Sequence, residues 1–302
     1  MFENTQLVAK AALISEQIDD RISRGATAIE IQLLDEFLVD KKINLDIIKD
    51  IDVVAVHMPL TKGEDFPIEY LEGRNYFKQT CKLANKIGVL KNHKVIVVVH
   101  ITTSVSELKK TGLLDVIKIT ILKELNKYDN IIIALENPSS FSYQKQKNLV
   151  FNSSVSINEG HISLANVELA KHINHERCGV CLDVCHALMD EHNLAWIDTY
   201  FDYLMLDTIG KNNRLFDEIF NQCKPYLKLI HLSYSEHHGY GKYHGLPYVK
   251  YSHDDKPFNI MKHIQQLYSS IETKPPITIE VCEHNVNHAI NFTKTMSFIK
   301  NL

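Results

Sequence analysis

Short apolar runs alternate along the chain with stretches of helical periodicity, and six of those runs end on a residue able to bind a metal. Val53-Val54-Ala55-Val56 is followed by His57, Val95 to Val99 by His100, and Ile131 to Leu135 by Glu136. Gly179 to Leu182 leads to Asp183, Leu227 to Ile230 leads to His231, and Ile277 to Ile279 leads to Glu280. Apolar runs without polar alternation mark strands covered on both faces, as in parallel sheets. Leu7 to Ile14 and Ala28 to Leu33 complete a set of eight predicted strands.

The intervening segments predict helices. Ser15 to Ile22 carries Ser15 as N-cap and Gly25 as its stop. Tyr70 to Ile87 is expected to end at Gly88, and Ser106 to Tyr128 has Gly112 inside it. Ser163 to Ile173, an interrupted region from Leu194 to Cys223, Pro257 to Ile271 and Asn285 to Ile299 follow. No Gly/Ser-rich or Pro-rich linker divides residues 1–302, so the pattern predicts one α/β domain, a (β/α)8 TIM barrel. The carboxyl ends of barrel strands converge on one mouth, where active sites of this architecture are built. Two long connections, 138–161 and 233–256, leave such strand ends and are expected to overhang the mouth.

With 45% hydrophobic and 23% charged residues the chain reads as an ordinary soluble globular protein. It shows no signal peptide and no apolar run of the roughly 20 residues a membrane span needs, so the expected address is the cytoplasm, without a membrane partner. No obligate protein partner is evident. The net charge of −4 lends no support to nucleic-acid binding, although a local patch can sit on an acidic protein. Among six cysteines, Cys178-Gly-Val-Cys181 has the spacing of a ligand pair, but no second pair accompanies it. On a strand, Gly179, Cys181 and Asp183 share one face, and the cysteines read as small buried hydrophobes.

The six strand-end residues are the candidate metal ligands, because imidazoles and carboxylates brought to one mouth form an oxygen/nitrogen site. Asp183 and Glu136 are the strongest, since a buried carboxylate without a partner is costly to keep. Glu283 competes with Glu280 but falls off the strand line. Tyr234, Tyr240, Tyr243, Tyr248 and Tyr251 crowd the second long connection, suited to stacking on a base or sugar and equally to packing against one another.

Cys178-Gly-Val-Cys-Leu-Asp-Val-Cys-His-Ala187 resembles the signature of the endonuclease IV family, Gly-Val-Cys-(Ile/Leu)-Asp-Thr-Cys-His, with Val184 in place of threonine. Glu136-Asn137-Pro138 is similar to that family's Glu-Asn-Thr, and His231-Leu232 to its His-Leu-Asn. The resemblance runs from about Val53 onward. It implies a zinc on His57, His100 and Glu136, and a second on Glu136, Asp183, His231 and Glu280, with Glu136 bridging. It further implies a third zinc on His186 and His244, and cleavage of the DNA backbone at abasic sites. Lys242 stands where the third ion's aspartate is expected, and Glu236, His237 or His238 are its possible substitutes.

The same superfamily holds sugar isomerases and epimerases that resemble xylose isomerase, with one Mn2+, Mg2+ or Co2+ on residues matching Glu136, Asp183, His231 and Glu280. In that reading Glu136 and Glu280 carry a substrate proton, His186 touches a hydroxyl, and the substrate is a sugar or small phosphorylated sugar. A third possibility is a barrel that keeps the site but serves as a binding protein. The expectation carried forward is a divalent-metal enzyme, a phosphodiester hydrolase first and a sugar isomerase or epimerase as the alternative. Glu136, Glu280 and His186 are its expected catalytic groups.

Overall fold

The computed structural model describes residues 2, 5–34, 43–61, 64–103, 105–137, 141–143, 149–151, 164–191, 215–236, 245–249 and 255–302. Eight parallel strands close into a barrel: β1 (Leu7–Ala12), β2 (Ala28–Leu34), β3 (Val53–Thr61), β4 (Val95–His100), β5 (Ile131–Glu136), β6 (Cys178–Asp183), β7 (Leu227–Leu232) and β8 (Ile277–Ile279). Each strand pairs in parallel with the next, and β8 returns to β1 through Leu7 opposite Ile277. Helices α1 (Ser15–Ser23), α2 (Leu71–Lys91), α3 (Val105–Lys110), α4 (Leu113–Lys127), α5 (Ala165–Ile173), α6 (184–191), α7 (Leu215–Cys223), α8 (Lys256–Ser269) and α9 (Ile290–Lys300) link or follow the strands. Parallel neighbours need such crossovers. The predicted barrel is the observed one.

The strand parity creates two cores. Val8, Ala28, Ala55, Val98, Ala134, Cys181 and Leu229 form a small apolar cluster that plugs the barrel. Their neighbours in sequence, such as Ile29, Val56, Val97, Leu135, Val180 and Ile230, belong to the larger core beneath the helices. Each fully buried Val, Leu or Ile there contributes about 1.5–3 kcal/mol. The parity predicted for Gly179, Cys181 and Asp183 holds, with Cys181 in the inner cluster and Val180 and Leu182 in the outer one.

Several boundaries differ from the sequence expectation. Ser15 is the first residue of α1 rather than its cap, and Ile14 stands at the cap without a side-chain bond. Helix α2 runs past Gly88 and ends at Asn92, in the left-handed region at φ 55°. A Cβ on Gly88 would lie 2.7 Å from Asn130 Cβ and 2.8 Å from His93 O, so this glycine serves close packing and not termination. Gly112, at φ 71°, splits the predicted 106–128 helix into α3 and α4. Strand β3 continues four residues beyond His57, which makes His57 a mid-strand residue. The connections 138–161 and 233–256 fall largely outside the described residues. Among the described residues, no helix is long and apolar enough to cross a membrane.

Candidate metal centre

Every barrel strand places one ionisable residue above the plug. Two positions beyond Val8, Ala28, Ala55, Val98, Ala134, Cys181, Leu229 and Thr278, on the same face, stand Lys10, Glu30, His57, His100, Glu136, Asp183, His231 and Glu280. The structure therefore brings together all six sequence-derived candidates. It adds Lys10 and Glu30, which are not legible as strand-end ligands because they lie inside their strands and not at the ends of apolar runs. Their signal was a lone charge inside such a run: Leu7-Val-Ala-Lys10-Ala-Ala12 and Ala28-Ile-Glu30-Ile31.

Among the described residues three groups of ligand-type atoms share Glu136, and two of them consist of imidazoles and carboxylates alone. His100 Nε2 lies 2.9 Å and His57 Nε2 3.2 Å from Glu136 Oε2, and the two imidazole nitrogens are 3.1 Å apart. His57 Nδ1 lies 2.8 Å from the carbonyl of Met58, and a carbonyl only accepts. Nδ1 therefore carries the proton, and Nε2 offers its lone pair to the pocket. The opposite oxygen, Glu136 Oε1, is 3.5 Å from His231 Nδ1. Glu136, Asp183, His231 and Glu280 each offer an atom, all within 4.8 Å of one another.

The second group is supported from behind. Glu30 is fully buried, and its Oε2 accepts from His231 Nε2 at 3.0 Å and from Thr278 Oγ1 at 2.7 Å. That bond turns His231 Nδ1 toward the pocket, where it lies 2.5 Å from Glu280 Oε2. Neither atom has a hydrogen-bond partner, although both are buried. Two orphaned donor-set atoms crowded at one point are what a cation would satisfy. Glu280 Oε1 is held by the Lys10 ammonium.

Electrostatics follow this geometry. Burial raises the cost of ionising Glu136, yet His100 and His231 hold its carboxyl well below the usual range. Glu280 is likewise held low, by His231 and Lys10 against the effect of burial. Asp183 is pushed up, first by burial and then by Glu136 and Glu280, with His186 opposing. Burial and the Lys10 charge push His57 down, keeping it neutral. His231 goes up against burial, under Cys181, Glu280, Glu30 and Glu136.

Asn137 and His186 brace the next layer. Asn137 Oδ1 accepts from Asp183 N at 2.6 Å and its Nδ2 donates to Asp183 O at 3.1 Å, so strand β6 is clamped beside β5. Asp183 Oδ1 accepts from His186 N at 2.8 Å, and His186 Nδ1 donates to Asn137 O at 2.9 Å. His186 joins no candidate metal cluster among the described residues. His244, Lys242, His237 and His238, on which a third ion would depend, lie outside the described residues. Glu283 accepts from Asn291 N and Phe292 N and so caps α9 away from the cluster, which leaves Glu280 as the β8 candidate. Cys181 Sγ lies within reach of Glu136 and His231, but burial pushes its thiol up far enough to disfavour the thiolate. Tyr234 and Tyr248 are buried with ring centroids 5.4 Å apart, so these two pack on each other, while Tyr240, Tyr243 and Tyr251 lie outside the described residues.

No protein-family model and no curated protein sequence matches the chain. Solved structures do. A D-tagatose 3-epimerase-like protein is 13% identical, with a TM-score of 0.60 over 98% of this chain and 97% of that one. The IolI protein with a bound zinc atom is 15% identical, with a TM-score of 0.59 and the same coverage. A xylose isomerase-like TIM barrel protein from Mycobacterium smegmatis, in complex with magnesium, is 13% identical, with a TM-score of 0.52 over 94% of this chain and 89% of that one. The likeness is one of fold: the chain is a (β/α)8 TIM barrel whose fold is similar to that of these structures.

Proposed function

We propose that the mouth holds a two-ion divalent-metal centre, with zinc as its natural ion, and that the protein hydrolyses a phosphodiester such as abasic-site DNA. One observation carries this reading: Glu136 directs one oxygen to each of two ligand groups, so one carboxylate can bridge two ions. The donor set fits. His57 Nε2, His100 Nε2 and Glu136 Oε2 stand 2.9–3.2 Å apart. Donors bonded to a tetrahedral zinc are separated by about 3.3 Å.

His57, His100 and Glu136 would hold one ion, and Glu136, Asp183, His231 and Glu280 the other. Such ions supply Lewis-acid stabilisation of phosphoryl oxygens and a water of lowered pKa. The protein's own groups do the positioning. Met58 O fixes the His57 tautomer, Glu30 fixes His231, and Asn137 keeps Asp183 level with Glu136. His186, beside Asp183 and bound to Asn137 O, would meet a substrate oxygen or leaving group.

A second reading, isomerisation or epimerisation of a sugar or sugar phosphate on one Mn2+, Mg2+ or Co2+, draws on the four-ligand group alone. It is favoured by the likeness to the epimerase-like structure. Glu136 and Glu280 would then carry the proton. Metal content of protein purified without chelator separates the two. Two zinc ions per chain, one of them lost in His57→Ala, with cleavage of an abasic-site duplex, is the expected result. One ion per chain, unchanged in His57→Ala, rejects the two-ion hydrolase and directs the assay to ketoses and their phosphates.

A further inference from the structure

We propose that Lys10 is an internal counter-ion of the metal centre, which holds the pocket together before a divalent ion enters and lowers the affinity of the four-ligand group for that ion. The proposal rests on the metal-centre reading above. Four carboxylates, from Glu30, Glu136, Asp183 and Glu280, converge at the mouth, all but Glu280 almost fully buried. Lys10 is the one lysine or arginine that reaches them among the described residues. Its side chain is 13% exposed, its ammonium contacts Glu280 Oε1, and it lies 3.6 Å from Glu30 Oε1.

The arrangement divides Glu280 between two cations. Oε1 belongs to Lys10, while Oε2 crowds His231 Nδ1 without a hydrogen bond. An ion bound at Oε2 must share this carboxylate with the ammonium. Glu30 is divided in the same manner, with Oε2 on His231 and Oε1 facing Lys10 without a hydrogen bond. A charge fixed among carboxylates relieves their mutual repulsion, and it repels a divalent ion arriving at the same group. The two effects are inseparable. An apo pocket made tolerable by Lys10 is for that reason a weaker trap for metal.

The test uses full-length protein stripped of metal, titrated with Zn2+ and separately with Mn2+ against a chromogenic chelator. Lys10→Met removes the charge while keeping much of the length, and Lys10→Gln keeps a donor for Glu280 Oε1 without the charge. Both should bind the ion of the four-ligand group about tenfold or more tightly than wild type. Their metal-free forms should melt at lower temperature. Lys10→Arg, which keeps the charge, should stay within about threefold of wild type. If Lys10→Met does not fold without metal, Lys10→Gln decides. Uncharged variants that bind Zn2+ and Mn2+ no more tightly than wild type overturn the proposal and leave the metal centre standing. A wild-type protein that takes up neither ion removes the centre, and the counter-ion role with it.

Discussion

The two sides of Glu136 are built on different principles. On the His57 and His100 side, two imidazole nitrogens and one carboxylate oxygen are spaced 2.9–3.2 Å apart, and His57 is aimed by a backbone carbonyl. His57 is pushed toward its neutral form there by burial and by the Lys10 charge, and the Glu136 carboxyl is held low by His100 and His231. On the Asp183, His231 and Glu280 side, charge dominates. Three carboxylates, Glu30 behind them and Lys10 among them, balance one another, and His231 is aimed by a side chain instead of the backbone. One half is shaped by the spacing of its imidazoles and by a backbone carbonyl. The other is shaped by charge balance, so its affinity can be tuned by a single lysine or carboxylate.

Glu136→Gln tests the comparison most severely, because Glu136 belongs to both halves. The amide keeps the volume but turns an N–H toward one of the two groups. At least one ion per chain should be lost, and activity on whichever substrate is found should fall by about 10²- to 10⁴-fold. Elemental analysis and turnover read both effects. Retention of both ions with full activity would sink the assignment of the site.

Glu30→Gln separates the halves. Glu30 lies within ligand distance of His57 and His231, but its Oε2 is taken up by His231 Nε2 at 3.0 Å and Thr278 Oγ1, and the first of these bonds fixes the orientation of His231. Loss of such a supporting carboxylate typically weakens metal binding about 10–100-fold. The weakening should appear only for the ion of the four-ligand group and leave the His57/His100 ion unchanged. Equal weakening at both, seen by stepwise titration, would show that the halves are not independently supported.

These halves were unequally readable in the chain. A histidine or carboxylate that ends an apolar run announces itself, so His100, Glu136, Asp183, His231 and Glu280 were found with their strands. Even His57 was found, although β3 continues past it. Lys10 and Glu30 were not, because a charge inside a strand looks like an ordinary break in hydrophobicity until the barrel closes and turns that face inward. Gly88 misled for the converse reason. Its role is to let Asn130 approach α2, a contact distant in sequence, while the local pattern suggested only a helix stop. The helix at Ser106 shows the limit of periodicity, which continued smoothly through Gly112 although the backbone did not.

The smallest effect is expected away from the mouth, and it serves as the metal-independent reference. Asp20, in α1, accepts from Ala289 N at 2.8 Å, just ahead of α9, and from Arg24 Nε at 2.9 Å. Burial opposes its ionisation, but the Ala289 amide and Arg24 hold the carboxyl below its ordinary 3.8. A carboxyl depressed in the fold stabilises above its unfolded pKa and loses that contribution as pH falls through the folded value. Asp20→Asn should therefore cost about 1 kcal/mol at pH 7. By urea midpoints, the gap from wild type should stay constant down to about pH 4 and narrow below it. Added Zn2+ should leave this gap unchanged while it raises the stability of the protein as a whole, because binding to the folded state alone is stabilising. A gap that moved with Zn2+ would mean that the α1–α9 clamp is coupled to the barrel mouth and that the metal centre reaches beyond its eight strand residues.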